Sequence, residues 1–257
     1  MKWIHLFQAN LRKEYIELKR YLPNTIAMLV TFYLIFLGMF AGIQVIGDPG
    51  SQDLHTQYAI VNYVFWFLAF MVVNNIGYEV INEGMRGTLE QLSMSPLGIW
   101  RIMTARLIAS TLLNFIMVSG LLYAAMLTTG QWLTIDLFTI LPILVLTLIS
   151  MFGLGLMIAG ISIIVKQVQA FLQILQFILA GLTFVSLAKV PWLAYFPFVK
   201  GVDLVRQAMI DGVSIGQMSG VDISLLGFNA IIYFSLGLAF FLYCERYAIR
   251  KGLLSHY

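Results

Sequence analysis

Six stretches of nearly unbroken apolar sequence, at 24–46, 58–80, 105–129, 138–165, 170–187 and 223–245, take up most of the chain, with short polar segments between them. A helix needs about 20 apolar residues to cross the hydrocarbon core of a bilayer. Strands of a membrane barrel would alternate apolar and polar residues in short segments, and these runs do not alternate. The pattern predicts an all-α, polytopic membrane protein with six transmembrane helices. Ahead of the first run, Ile4, Phe7, Leu11, Tyr15, Leu18 and Leu22 recur at spacings of three and four, while Lys2, Asn10, Lys13, Glu17 and Arg20 fall on the opposite side. Residues 1–22 therefore read as an amphipathic interfacial helix, with Arg12 and Lys19 able to snorkel toward headgroups. Pro23 is expected to break this helix where the chain turns into the membrane. Two uses are open to it: a membrane-surface anchor, or a surface that also grips a cytosolic partner.

Composition removes the soluble alternatives. Hydrophobic residues make up 60% and charged residues 11% of the chain, far from the balance of a water-soluble domain. The spans leave no room for a separate soluble unit, so residues 1–257 are expected to form one permease-sized membrane domain. Of the fifteen lysines and arginines, only Lys189, Lys200 and Arg206 fall on the side opposite to the rest, and this bias places both termini in the cytoplasm. Asp48, Asp53 and Asp136 in the short outer loops have no basic neighbours, which agrees. The chain should reside as a multi-pass protein in a cell (inner or plasma) membrane. Its net charge of +3 restates the topological bias and implies no nucleic-acid partner. Charge throughout residues 1–22 speaks against a cleavable signal peptide. The single Cys244 cannot form an internal disulfide.

Between the second and third runs lies a polar island, residues 83–96, Glu-Gly-Met-Arg-Gly-Thr-Leu-Glu-Gln-Leu-Ser-Met-Ser-Pro. Gly84 and Gly87 loosen the backbone, and Thr88 with Gln91 three residues on matches a capping box, with Glu90 near the positive helix start. Ser95 should close this short helix, since a residue before proline is pushed out of helical geometry. Ser95 can also cap the next helix, with Pro96 in its first turn. A helix of one or two turns is unstable alone in water and must pack on something. One reading is a docking surface for a soluble protein; the plainer one is an ordinary capped loop helix.

Glu83, then Arg86-Gly87-Thr88-Leu89-Glu90-Gln91-Leu92, then Ser95-Pro96 resembles the signature between the second and third spans of ABC type 2 exporter permeases. Six spans, an amphipathic N-terminal helix and a long outer segment before the last span are similar to that family too, so the resemblance covers essentially the whole chain. In the family this island is the coupling helix that contacts a nucleotide-binding subunit. The resemblance therefore implies an ATPase-coupling role for Glu83, Arg86, Gly87, Thr88, Leu89 and Glu90. It also implies cytosolic ABC ATPase subunits as partners, with ATP and Mg held there, and a second permease chain, the same or related. In the family the second and fifth spans line the substrate route, which makes Phe67, Met71, Asn74, Asn75, Gln173 and Gln176 candidates for that path here.

The residues themselves bear on the energy source. No lysine is followed by serine or threonine, so the chain has no phosphate-binding loop of the form G-x-x-x-x-G-K-[ST]. It needs no cofactor of its own on this reading. Proton- or ion-driven carriers place ionisable groups deep in the membrane, yet Glu79, Lys166 and Glu245 lie at the inner ends of the runs. Glu79 could pair with Arg101 or Arg106, or could reach headgroups and water as an interfacial carboxylate. No H-E-x-x-H occurs, and His5, His55 and His256 lie in separate segments; no catalytic or metal site is expected. A non-transporting anchor or sensor that recruits a cytosolic protein is the rival to an exporter subunit.

Two further segments carry polar signals. Gln169, Gln173 and Gln176 align on one helix face, and amides in lipid need protein partners or a wet cavity. They serve either helix–helix hydrogen bonding or the substrate path. Residues 188–222 are too polar and too interrupted by Pro191, Pro197, Gly201, Gly212, Gly216 and Gly220 to cross the membrane. In the resembling family this segment forms re-entrant or surface helices over the outer end of the route. Trp192, Tyr195, Phe196 and Phe198 equally suit an aromatic interfacial anchor. Asp203 and Arg206, three apart, could pair on a helix surface.

Overall fold

The computed structural model describes residues 2–46, 50–95, 98–165 and 168–252. Asp48, Pro96, Lys166 and His256 lie outside the described residues, as do the side chains of Lys2 and Ile4. The helices are α1 (Lys2–Arg20), α2 (Leu22–Ile46), α3 (Gln52–Met85), α4 (Leu89–Ser93), α5 (Ile99–Thr129), α6 (Leu137–Ile164), α7 (Gln169–Phe184), α8 (Val199–Met209) and α9 (Gly220–Arg250). Among the described residues there is no strand.

The six predicted spans appear in order as α2, α3, α5, α6, α7 and α9. Five of them are long and apolar enough to cross a membrane. The other, α7, has 16 residues and at 1.5 Å per residue covers about 24 Å, short of the hydrocarbon thickness of about 30 Å. Its apolar sequence runs on to Leu187, but Val185 turns extended and the helix ends at Phe184. The polar island ends differently from its predicted form as well. Helix α5 begins at Ile99, and its N-cap is Gly98 at φ 73°, not Ser95. At the other junction the break between α1 and α2 falls at Tyr21, and Pro23 sits in the first turn of α2, where its missing N–H costs nothing.

Helix α3 forms the axis of the bundle. It is apolar on nearly all sides over its middle, with Ile60, Val72 and Val73 fully buried, as expected of a helix surrounded by others. It packs against α5, α6, α7, α2 and α8. On the α2 side the rings of Phe32, Trp66, Phe67 and Phe70 interlock, with Phe32 and Phe67 centroids 4.5 Å apart.

Helices α6 and α9 form the closest pair. A Cβ built on Gly153 would lie 2.1 Å from the Tyr233 carbonyl oxygen, and one on Gly237 would lie 2.1 Å from the Gly153 carbonyl oxygen. The two backbones touch, and only glycine permits that approach. Helix α8 is held against α6 in the same way, since a Cβ on Gly201 would meet Thr147 Oγ1 at 1.9 Å.

The outer segment folds inward over this frame. Val199, Val202, Leu204 and Val205 of α8 are fully buried, and Lys200 Nζ reaches Asp222 Oδ1 at 2.8 Å, tying α8 to the start of α9. Asp203 and Arg206 do pair, at 3.8 Å, but Arg206 is buried, so the contact is interior and not on a helix surface. The aromatic row divides. Trp192, Tyr195 and Phe196 are exposed, while Phe198 is buried at φ 59°, its N–H donating to Ser150 Oγ at 3.2 Å.

The glycine contacts give a direct expectation. Gly153→Ala and Gly237→Ala should each lower the melting temperature of the purified protein, by an amount equivalent to about 1–3 kcal/mol of overpacking. Gly120, on α5 with open space where a Cβ would go, is the control: Gly120→Ala should be neutral or slightly stabilising. Thermal unfolding followed by fluorescence-detected size exclusion distinguishes the three.

Candidate functional site

The site has two connected parts at the end of the bundle that carries α1 and α4. The first is a charged clamp. Glu79 and Glu83 are four residues apart and so lie on one face of α3. That face meets Arg106 of α5, whose Nη1 donates to Glu79 Oε2 at 2.9 Å and to Glu83 Oε1 at 2.6 Å. Lys13 of α1 donates to Glu79 Oε1 at 3.0 Å. Of the readings open for Glu79, the pair with Arg106 is the one that forms, and α1 supplies a second cation.

The clamp sets the start of the island. Thr88 Oγ1 donates to the Glu83 carboxylate and, at 3.1 Å, to the Glu83 carbonyl oxygen. Its side chain therefore makes no cap on α4, and the predicted capping box does not form; the charged acceptor one turn back in α3 wins the hydroxyl. Gly87, at φ 67°, makes the tight reversal that brings Thr88 back over α3, a conformation that favours glycine. Leu89 is fully buried and pins the five-residue α4 to the bundle. Arg86, Gly87 and Glu90 stay exposed, with Met85 and Met94 exposed beside them. The six island residues thus divide into an inner group, Glu83, Thr88 and Leu89, and an outward group, Arg86, Gly87 and Glu90.

The second part is a cavity of about 580 Å³ enclosed by α1, α2, α3, α5 and α7. Met71, Asn74, Asn75 and Gln176 line it, four of the six residues expected on the substrate path. Gln176 Nε2 donates to Asn74 Oδ1 at 3.2 Å, so the predicted need of an α7 amide for a protein partner is met by α3. Phe67 and Gln173 fall elsewhere. Phe67 is fully buried against Phe32, and Gln173, like Gln169, is exposed on α7, because the inward face of that helix runs through Leu172, Gln176 and Leu179.

Three lining residues escaped the sequence reading. Asn114 of α5 is 5% exposed, and its Nδ2 has no acceptor in the protein. Its signal was present as the third member of the i, i+4, i+8 series Arg106, Ser110, Asn114. Glu14 and Glu17 of α1 also line the cavity. The polar side of α1 was expected to face water and headgroups; instead Asn10 is buried and Lys13, Glu14 and Glu17 are half-buried, turned toward the clamp, while Tyr15 and Ile16 are exposed. Buried partner charges on α3 and α5 draw that face inward. Burial, and then the nearby Glu79 carboxylate, push the Glu14 carboxyl up from the usual 4.5 to about 7.

Two outcomes test this geometry. Arg106→Met leaves two carboxylates without their cation and should lower stability by about 3 kcal/mol; adding Glu83→Gln should recover a measurable part, read as a double-mutant cycle in thermal unfolding. Glu14 holds its proton up to about pH 7 when α1 is docked and releases it near 4.5 when undocked, so docking weakens as pH rises between those values and no further above them. Glu14→Gln should raise the melting temperature by a few degrees at pH 8 and by less and less as the pH falls toward 4.5.

The model of the family described as ABC-2 type transporter matches residues 5–210. A search of curated proteins finds no match to the chain. The matched stretch begins inside α1 and ends just after α8, and so takes in the clamp, α4 and every lining residue of the cavity. It is well over half of the 257 residues, and with its long apolar helices the chain belongs to the ABC-2 type transporter family as a membrane-spanning permease.

Proposed function

We propose that this permease is the membrane subunit of an ATP-driven exporter, in which separate cytosolic ATPase subunits bind ATP and Mg and act on the outward face of α4. The observation that carries the reading is the continuity of the clamp. Thr88, at the head of α4, is bonded to Glu83; Glu83 shares Arg106 with Glu79; and Arg106 joins α3 to α5. Both of those helices line the amide cavity. A push on α4 reaches the cavity walls through buried, charge-assisted hydrogen bonds, which are short and directional, and through Leu89, which has no free space to yield into.

On this reading Arg86, Gly87 and Glu90 form the contact with the ATPase, while Glu83, Thr88 and Leu89 transmit the displacement. The cavity residues Met71, Asn74, Asn75 and Gln176 meet a hydrophobic or amphipathic substrate, which leaves toward the outer segment around α8. Both termini and α4 are then cytoplasmic, in the cell membrane. A second permease copy, identical or related, completes the pathway. Gln169 and Gln173, exposed on α7, support that partner, because an amide facing lipid lacks the hydrogen bonds that a neighbouring protein face supplies.

The exposed position of Glu90 makes it the place to test docking. Glu90→Arg should insert and fold as the parent does, yet capture less of the ATPase when the tagged chain is purified from native membranes in mild detergent. Transport should fall with it, while basal ATP hydrolysis by the free ATPase persists. Recovery of a stoichiometric subunit carrying a phosphate-binding loop with the parent chain, and its loss with Glu90→Arg, is the expected pattern. Undiminished capture and transport by the variant would remove α4 from the interface.

A further inference from the structure

The cavity has a charge and a donor pattern that name the chemical class of its occupant. Glu14 and Glu17 stand in the part of its wall formed by α1, and no lysine or arginine lines it. Around that wall the carboxylates of Glu14, Glu17, Glu79 and Glu83 face only two cations, Lys13 and Arg106, both already engaged in ion pairs. The surroundings therefore hold surplus negative potential, and carboxylate oxygens of Glu14, Glu17 and Glu79 come within 4.8 Å of one another. Such crowding favours an added positive charge. Acidic residues alone would say little more.

A second, independent observation lies across the cavity. Asn114 is 95% buried on the α5 wall, and its Nδ2 finds no acceptor in the protein. An unsatisfied buried amide costs free energy unless a ligand or water fills the role. Asn74, by contrast, has its amide engaged with the Phe70 carbonyl oxygen and with Gln176, so the open donor is specific to Asn114. Between these polar ends the wall is apolar and aromatic, with Phe70, Met71, Met117 and Tyr21 among the lining residues. Aromatic faces add attraction for a cation.

We infer that the cavity takes a cationic amphiphile: an organic amine whose positive charge sits beside Glu14 and Glu17, whose apolar body lies along Phe70, Met71 and Met117, and whose carbonyl or ether oxygen accepts from Asn114 Nδ2. This rests on the reading of the cavity as a substrate path and narrows that path to one class of molecule. The raised proton affinity of Glu14 is consistent with it, since a bound amine would displace the proton that the crowded carboxylates otherwise hold.

A matched pair of dyes tests the charge. Rhodamine 6G is a cationic xanthene with an ester carbonyl; fluorescein ethyl ester shares the xanthene and the ester but is anionic at pH 8. Binding to the full-length chain in lipid nanodiscs, without nucleotide and corrected against empty discs, is read by fluorescence anisotropy. Rhodamine 6G should bind and fluorescein ethyl ester should not. The double variant Glu14→Gln, Glu17→Gln should weaken rhodamine 6G by about tenfold, and Asn114→Leu should weaken it several-fold. Affinity of the parent should rise as pH increases through about 7, where Glu14 ionises, and the double variant should lose that dependence.

Equal binding of the two dyes, or full affinity for rhodamine 6G in the double variant, would overturn the inference. Should Asn114→Leu fail to fold, the half-buried glutamates still decide the question. Capture of an ATPase by the tagged chain is a separate measurement. Dyes bound without charge preference while the ATPase is captured would sink this inference alone; cation-selective binding with no ATPase would sink the coupled-exporter reading alone.

Discussion

Everything at the α4 end of the molecule depends on one guanidinium. Arg106 enters from α5 and takes a carboxylate oxygen from each of two glutamates a turn apart on α3. Removing charges from water is costly, and a buried ion pair survives only with good geometry and further hydrogen bonds. Here the further bonds are what build the site. Thr88 satisfies Glu83 and so fixes the start of α4; Lys13 satisfies Glu79 and so draws α1 against the bundle. Three segments that would otherwise be independent, an amphipathic helix, a five-residue helix and a helix pair, are made one by the needs of two buried carboxylates.

The remainder of the fold is held by a different force. Helices α6 and α9 meet backbone to backbone through Gly153 and Gly237, and α8 is pressed on Thr147 through Gly201. Contacts at that distance leave no room to slide, and a close-packed interior transmits displacement instead of absorbing it. On the other side of α3 the helices α1, α2, α5 and α7 stand apart around the cavity. A displacement delivered through Arg106 therefore meets a rigid wall on one side and free volume on the other, which directs rearrangement toward the cavity.

The apolar runs made the span order legible, because burial in lipid leaves an unbroken compositional trace. The polar island and its family were legible for a related reason: Glu83, Arg86, Gly87 and Thr88 stand out in an apolar chain. What could not be read was which partner each polar group would choose. Thr88 had a capping role available three residues ahead and a carboxylate five residues behind, and only the position of Arg106 in space, by fixing Glu83, decides between them. The same holds for α1. Periodicity separated its two faces correctly, but the direction of the polar face depends on charges 60 to 90 residues away. Asn114 shows the limit most plainly, since one asparagine in an apolar run has no periodicity of its own and gains meaning only from the cavity it borders.

The order of polar groups along α3 carries the last step. From Asn82 to Phe70 the lining residues climb about 18 Å at the helical rise, and their chemistry changes on the way: carboxylates of α1 and α3 at the near end, the uncharged amides of Asn75, Asn74 and Asn114 further in, then Phe70, Met71 and Met117. Charge is concentrated where water and headgroups can reach it and gives way to amides where hydration is lost, as the cost of burial requires. Amides hydrogen-bond a passing molecule without holding it as an ion pair would, so a ligand that enters by its charge can be released deeper by losing that contact. A graded wall of this kind recognises strongly at its entrance and weakly in its depth, and that is the profile a pathway needs if binding is not to become a trap.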